Sequence, residues 1–361
     1  MIEQDIWFSA LKLKNSTKVK LLKKLKSTEN IWHYSQDYSF LCLDEVNEYK
    51  IKSKMKNSFN SEDIEKVKKI IYKNEIMTLN FNEADYPENL KFYDDSPCII
   101  FYKGKIKGIN ENKSVAIVGS RNCSAYGKSV AVSIAGELSK NKVNIISGLA
   151  RGIDSAAHNS CISNHGYTCG VLGCGLDIIY PRENYKLYHE MFESGCVLSE
   201  FVPGTKPDNY NFPIRNRIIS GLSDLVLIIE AGEKSGSLIT AGIALNQGKD
   251  VMAVPGSVLS ENSRGSNRLL KDGAYVFTEI KDIFELLSMN YNILKNQNKA
   301  FESDLKNIIF DVLSDKPLHI DEIINITHID IKQLYELLFE LQLDNQILCL
   351  SGNFYVKIVA N

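Results

Sequence analysis

From Ser114 onward, short, nearly unbroken apolar segments alternate with helix-length ones, and this pattern constrains the fold more than any other feature. Val115–Val118, Val143–Ile146, Thr168–Leu172, Cys196–Ser199, Leu225–Ile229 and Val251–Val254 are too short for buried helices and show little polar alternation. Between them lie the helix-length stretches Tyr126–Lys140, Ile153–Ser163, Tyr185–Glu193 and Leu238–Gln247. Strands apolar on both sides must be covered on both sides, and helical crossovers make them parallel. The pattern predicts an α/β domain over residues 79–288, with a mostly parallel sheet and helices on both faces. A short strand at Cys98–Tyr102 opens it.

The flanks read differently. Residues 1–78 predict a helical domain, with Ile6, Trp7, Leu11 and Leu13 on one apolar face and Val19, Leu21, Leu22 and Leu25 on another. A further helix spans about 61–73, with Ser61 as its N-cap. Residues 289–300 are polar and Asn-rich and read as a linker. Residues 301–361 predict helices at about 303–313, 320–325 and 331–343, then a hairpin of Ile347–Leu350 and Phe354–Ile358. Three helices and a hairpin form a winged-helix pattern.

Composition narrows the function classes. No apolar run reaches the roughly 18 residues of a membrane span. The acidic start, Met1-Ile2-Glu3-Gln4-Asp5, does not resemble a secretory signal, so the expected location is cytoplasmic. The eight cysteines have no zinc spacing and read as free thiols, so no metal is expected. Net charge is −2. However, residues 1–78 hold 15 lysines against 11 acids, and residues 301–361 hold 4 lysines against 10 acids. All seven arginines lie between Arg121 and Arg268. In a lysine-rich chain, arginine confined to one region points to planar, bidentate contacts such as phosphate.

Three glycine-bearing loops follow predicted strands: Gly119-Ser120-Arg121, Ser147-Gly148-Leu149-Ala150-Arg151-Gly152-Ile153-Asp154, and Glu230-Ala231-Gly232-Glu233-Lys234-Ser235-Gly236-Ser237. The carboxyl ends of parallel strands form the ligand edge. Helix-opening loops there present free N–H groups and the positive dipole end to an anion. The segment Asn211-Phe212-Pro213-Ile214-Arg215-Asn216-Arg217 adds guanidinium forks and an aromatic face. Unpaired bases stack on aromatic rings for about 1–3 kcal/mol each. A duplex hides base faces, so the combination favours a single strand.

Other motifs fail. Gly127-Lys128-Ser129 lacks the Walker glycine five positions earlier, where Asn122 stands. Gly173-Cys174-Gly175 has Ile178 in place of the third dinucleotide glycine. No cofactor is expected. Asp154 and His158 are four apart on a helix, but no third ligand or nucleophile accompanies them. Asp154 reads instead as a helix N-terminal cap.

These blocks, continued by Val171–Asp177 with Tyr180-Pro181 and Asn184, Leu198-Ser-Glu200, Ala253–Gly256 and Gly265–Asn267, resemble in order the DNA-processing protein A (DprA/Smf) family. The resemblance covers about 115–274. It implies an extended Rossmann-like domain that binds single-stranded DNA and has no established enzymatic activity. It also implies a homodimer that loads the RecA recombinase during natural transformation. The implied DNA contacts are Gly119, Ser120, Arg121, Arg151, Gly152, Phe212, Arg215, Asn216, Arg217, Lys234, Ser235, Gly236 and Ser237. Many relatives carry a Gly-x-Gly hairpin turn in a SAM-like N-terminal domain, whereas residues 1–103 here contain no glycine. The acidic C-terminal domain, with Glu336 and Glu340 on its recognition helix, is expected to contact protein rather than DNA. Two competing readings are an enzyme acting on a phosphorylated small molecule through Glu230 or Asp154, and an adaptor whose glycine loops are only structural.

Overall fold

The computed structural model describes residues 2–36, 48–56, 61–291, 297–314, 316–343, 346–350 and 352–358. The chain divides into two compact units, Met1–Tyr291 and Asn292–Asn361.

Among the described residues of the first unit nine strands form one sheet: β1 (Met77–Asn80), β2 (Ile99–Gly104), β3 (Ser114–Val118), β4 (Asn144–Ser147), β5 (Thr168–Val171), β6 (Gly195–Ser199), β7 (Leu225–Ile228), β8 (Asp250–Ala253) and β9 (Tyr275–Val276). Their order is β1-β2-β6-β5-β4-β3-β7-β8-β9. The β1–β2 and β2–β6 pairings are antiparallel, and every pairing from β6 to β9 is parallel. Connections proceed in one direction from β3 to β6 and in the other from β7 to β9. The switch point lies between β3 and β7, where open α/β sheets bind ligands.

Among the described residues five helices precede the sheet: α1 (Ile2–Ala10), α2 (Asn15–Leu25), α3 (Thr28–Gln36), α4 (Glu48–Lys56) and α5 (Ser61–Lys73). Seven follow within the unit: α6 (Ala125–Lys140), α7 (Ile153–Ser163), α8 (Tyr185–Ser194), α9 (Asn211–Leu222), α10 (Gly236–Asn246), α11 (Arg264–Lys271) and α12 (Ile280–Leu286). Strand alternation sorts their packing. Val115, Ile117, Leu225 and Leu227 face a core shared with α6, α7 and α12. Ala116, Val118, Val226 and Ile228 face the opposite core, built with α8, α9 and α10. That second core also takes Ile6, Trp7, Leu21, Leu22 and Ile71, so the N-terminal helices and the sheet are packed as one body. Buried Asp5 reinforces the join by accepting from Thr28 Oγ1 at 2.7 Å and Asn80 Nδ2 at 3.3 Å.

The predicted strands and helices between 114 and 254 are present, with ends shifted by a residue or two. β1, β9, α9, α11 and α12 have no counterpart among the predicted elements. α9 hid behind Pro213, which stands in the first helical turn, where its missing N–H costs no helical hydrogen bond.

The second unit contains α13 (Gln297–Val312), β10 (Leu318–His319), α14 (Ile320–Thr327), α15 (Ile331–Leu343), β11 (Ile347–Leu350) and β12 (Phe354–Lys357). Its sheet order is β10-β12-β11. Residues 292–296 of the expected linker lie outside the described residues, and helix already begins at Gln297, within the span read as linker. Ser351 of the expected turn also lies outside them.

Candidate nucleic-acid interface

The β3 and β7 ends meet at the switch point and are tied together. Ser120 N donates to Glu230 O at 2.7 Å, and Ile153 N donates to Ser120 O at 3.3 Å. Gly152 permits this approach. Its φ is +76°, and a Cβ there would lie 2.3 Å from Ser120 O.

A groove of about 560 Å³ opens over the switch point. Gly119, Ser120 and Arg121 line it from β3, Phe212, Arg215 and Asn216 from α9, and Lys234 to Ser237 from the start of α10. A second recess of about 280 Å³ shares Arg121, Phe212 and Arg215 and adds Arg151 and Tyr180. Phe212, Arg215 and Asn216 stand at i, i+3 and i+4, which places them on one face of α9. Exposed Arg121 and Lys234 stand at its rim. Ser235 caps α10, its Oγ accepting from Ser237 N.

The rim carries a stack. The Arg121 guanidinium carbon is 5.3 Å from the centre of the Phe212 ring, and the Tyr180 ring is 5.7 Å from it at 26°. A Cβ on Gly173 would lie 2.8 Å from Phe212 Cδ1, so Phe212 is flanked by protein. Tyr180, 40% exposed, offers the more open ring. The motif Tyr180-Pro181 contains it, but nothing in the local sequence signals that its ring stacks on Phe212.

Arg215 differs from the rim arginines. It is 5% exposed, and its Nη1 donates to the carbonyls of Gly148 and Val171, at the ends of β4 and β5. Nε has no partner, and among the described residues no carboxylate lies within ion-pairing distance. Burial lowers Arg215 to about 10, partly offset by the nearby Asp154 charge, so it stays cationic at neutral pH. A buried guanidinium with no paired carboxylate is costly unless an anion completes it.

Two residues expected to share the groove are placed otherwise. Arg217 ends 2.5 Å from Glu200, with Asp95 at 3.7 Å, and lines neither recess. Gly152 also lines neither and acts as the loop's close-packing point. Arg151 does line the second recess, and its ion pair with Glu183 is exposed on both sides. Such pairs are weak and readily exchanged for phosphate.

The candidate acids of the enzymatic reading have structural partners. Glu230, 2% exposed, accepts from Ser124 Oγ at 2.6 Å and Ser124 N at 2.8 Å. Asp154 Oδ2 accepts from Gly148 N at 3.1 Å and Ala150 N at 3.3 Å. It therefore closes the loop before α7, which is a correction to its reading as a helix cap. Burial raises the Asp154 carboxyl, while Arg215 and these N–H groups oppose the rise. His158 is fully buried, its Nδ1 bonded to Thr168 Oγ1 at 2.6 Å, and has no exposure to solvent.

This architecture defines a class: open α/β proteins with an anion-suited groove at the switch point, here followed by a winged-helix unit. A family model described as DNA recombination-mediator protein A matches residues 77–288, and one described as DprA winged helix domain matches 295–353. The chain belongs to the DNA recombination-mediator protein A (DprA/Smf) family. The DNA processing protein DprA of Bacillus subtilis is 43% identical over 212 residues, 59% of this chain and 71% of that protein. The X-ray structure of DNA processing protein A from Streptococcus pneumoniae superposes with a TM-score of 0.67 at 31% identity, covering 81% of this chain and 99% of that one. A Helicobacter pylori DNA processing protein A structure, described for its single-stranded DNA binding mode, gives 0.55 at 32% identity, covering 60% and 98%.

Proposed function

We propose that this chain binds single-stranded DNA across the β3–β7 switch point and does so without catalysis. The observation that carries the reading is the Arg121–Phe212–Tyr180 stack on the rim of a groove whose floor is the buried Arg215, which no carboxylate contacts directly. Arg121, Arg151, Arg215 and Lys234 meet phosphates, helped by Gly119, Ser120, Asn216 and the Ser235-Gly236-Ser237 helix start. Tyr180, with Phe212 behind it, receives a base. The non-enzymatic reading is supported by the hydrogen bonds that commit both Glu230 oxygens and Asp154 Oδ2 to holding loops.

The Helicobacter pylori relative supports the choice of ligand. Assembly as a homodimer, delivery of the strand to RecA during transformation, and a cytoplasmic location are parts of the proposal that rest on family resemblance. Among the described residues no helix is long and apolar enough to cross a membrane. The winged-helix unit is assigned to protein contact. On α15, Ile331, Tyr335 and Phe339 are exposed at four-residue spacing, and Glu336 and Glu340 lie on the same helix. Salt-sensitive DNA binding by residues 292–361 alone would remove that assignment.

Fluorescence anisotropy of single- and double-stranded oligonucleotides across a salt series tests the main reading. Wild type should prefer the single strand, and Arg121→Ala should weaken it and flatten the log–log salt slope by about 0.7 per lost phosphate contact. Equal affinity for both forms, or indifference to Arg121, overturns it.

A further inference from the structure

We infer that the bound strand continues past the groove, beyond a wall shared by Asn122 and Asn262, into a third recess that receives one unpaired nucleobase against Tyr126 and the Val258-Leu259 turn. This inference rests on the single-strand reading above.

The recess has a volume of about 530 Å³ and lies beyond the ends of β7 and β8. Tyr126, Glu230, Pro255, Ser257, Ser260 and Ser263 are among its walls. It adjoins the groove. Asn122 and Asn262 both line the groove, and Asn262 Nδ2 donates to Asn122 O at 3.0 Å. Asn262 sits in the chain between Ser260 and Ser263, so one short segment walls both spaces.

The walls are held in place. Tyr126 donates its hydroxyl to Pro255 O at 3.0 Å, which fixes the ring beside the recess. Asn267 clamps Gly256 from both sides, accepting from its N at 3.1 Å and donating to its O at 3.0 Å. A Cβ on Gly256 would lie 2.2 Å from Ser263 Oγ. Gly265 N donates to Ala231 O at 2.7 Å, stitching the same loop to the segment after β7.

This anchored loop nevertheless leaves its tip in water. Ser260 N donates to Ser257 O at 3.0 Å, closing a turn with Val258 and Leu259 at its centre. They are 82% and 88% exposed, and Tyr126 is 51% exposed. Single exposed apolar residues are ordinary, but two adjacent ones on a turn whose two ends line a recess form a built apolar edge.

The chemistry selects the part of the strand. No lysine or arginine is among the recess walls, and the Glu230 carboxylate stands there, so a phosphate is disfavoured. The Tyr126 ring, Pro255 and serine hydroxyls of the walls, with the Val258-Leu259 tip beside them, suit a base, through its face and its edge.

Affinity against strand length tests the inference with the full chain and labelled oligo-dT of roughly 4 to roughly 20 nucleotides. Wild type should show a gain of roughly tenfold once the strand is long enough to reach the recess, in line with one stacked base. Tyr126→Ser, and separately Val258→Ser with Leu259→Ser, should bind the shortest oligonucleotides as wild type does and lose that gain. The second pair is nearly fully exposed, so it leaves the fold intact. In Tyr126→Trp, emission should change with long strands and not with short ones. A length dependence identical in wild type and variants overturns the inference while leaving the groove reading in place. So does free dTMP that abolishes the gain at low concentration, because it would make the recess a mononucleotide pocket. Absence of Arg121-dependent binding at every length defeats the underlying reading instead.

Discussion

Arg217 closes on Glu200, with both side chains nearly buried, while Arg215, two residues earlier on α9, lies at the floor of the groove. Residues two apart on a helix point about 200° apart, so the two arginines of one motif serve opposite sides. Glu200 Oε2 also accepts from Asn15 Nδ2 at 3.1 Å, so the Arg217 side joins the N-terminal helices to the sheet.

Arg217→Ala should therefore cost stability more than affinity. Leaving Glu200 unpaired in a nearly buried site should lower unfolding free energy by about 3 kcal/mol. Urea titration measures this, and anisotropy under conditions where the variant is folded should give near-wild-type single-strand affinity. A loss of affinity without a loss of stability would place Arg217 in the groove after all.

Tyr180→Ala should weaken single-strand binding roughly tenfold, and Tyr180→Phe should not, because the ring face rather than the hydroxyl makes the contact. Titration of both variants against one oligonucleotide decides the point. Equal effects from the two would show that the hydroxyl, not stacking, matters.

Gly152→Ala should be among the most damaging single-methyl changes in the chain. The new Cβ would meet the carbonyl oxygens of Ser120 at 2.3 Å and Arg121 at 2.7 Å, at a φ of +76°. A loss of roughly 3 kcal/mol is expected, with weaker DNA binding as the Arg121 loop is displaced. Thermal unfolding and anisotropy on the same sample check both parts. Wild-type behaviour in both would mean the loop can shift freely.

His158 makes stability fall in acid. Thr168 gives its hydroxyl proton to Ile145 O, so His158 Nδ1 carries the proton in their 2.6 Å bond and the ring is neutral. Burial, assisted by the Arg215 charge, lowers His158 from 6.5 to about 3. A depressed value contributes stability above the unfolded-state value and loses it as pH falls from 6.5 towards 3, at about 1.4 kcal/mol per unit. Between pH 7 and pH 5 wild type should lose about 2 kcal/mol more than His158→Asn. Asp154 titrates in both proteins and cancels in the comparison. Equal acid sensitivity would show that the His158 ring is protonated in the folded state.

The fold was legible where burial is symmetric. Val115–Val118 and Leu225–Ile229 read as strands because both faces are covered, and their loops fell on the ligand edge for the same reason. β1 and β9 were not legible. Met77–Asn80 is only half buried, and Tyr275–Val276 is an exposed two-residue edge, so neither carries a continuous apolar run. α9 was obscured by Pro213, and with it the division of labour between Arg215 and Arg217.

By itself the sequence determined the mostly parallel sheet, the three glycine-bearing loops at its carboxyl edge, and the concentration of arginine beside them. Local periodicity and residue chemistry suffice for those features. Only the tertiary structure decided which arginines face the groove, which carboxylates are occupied by backbone N–H groups, and that Tyr180 stacks on Phe212. Those outcomes depend on helix phase and on contacts between segments some 30 to 100 residues apart, such as Tyr180 with Phe212 and Ser124 with Glu230.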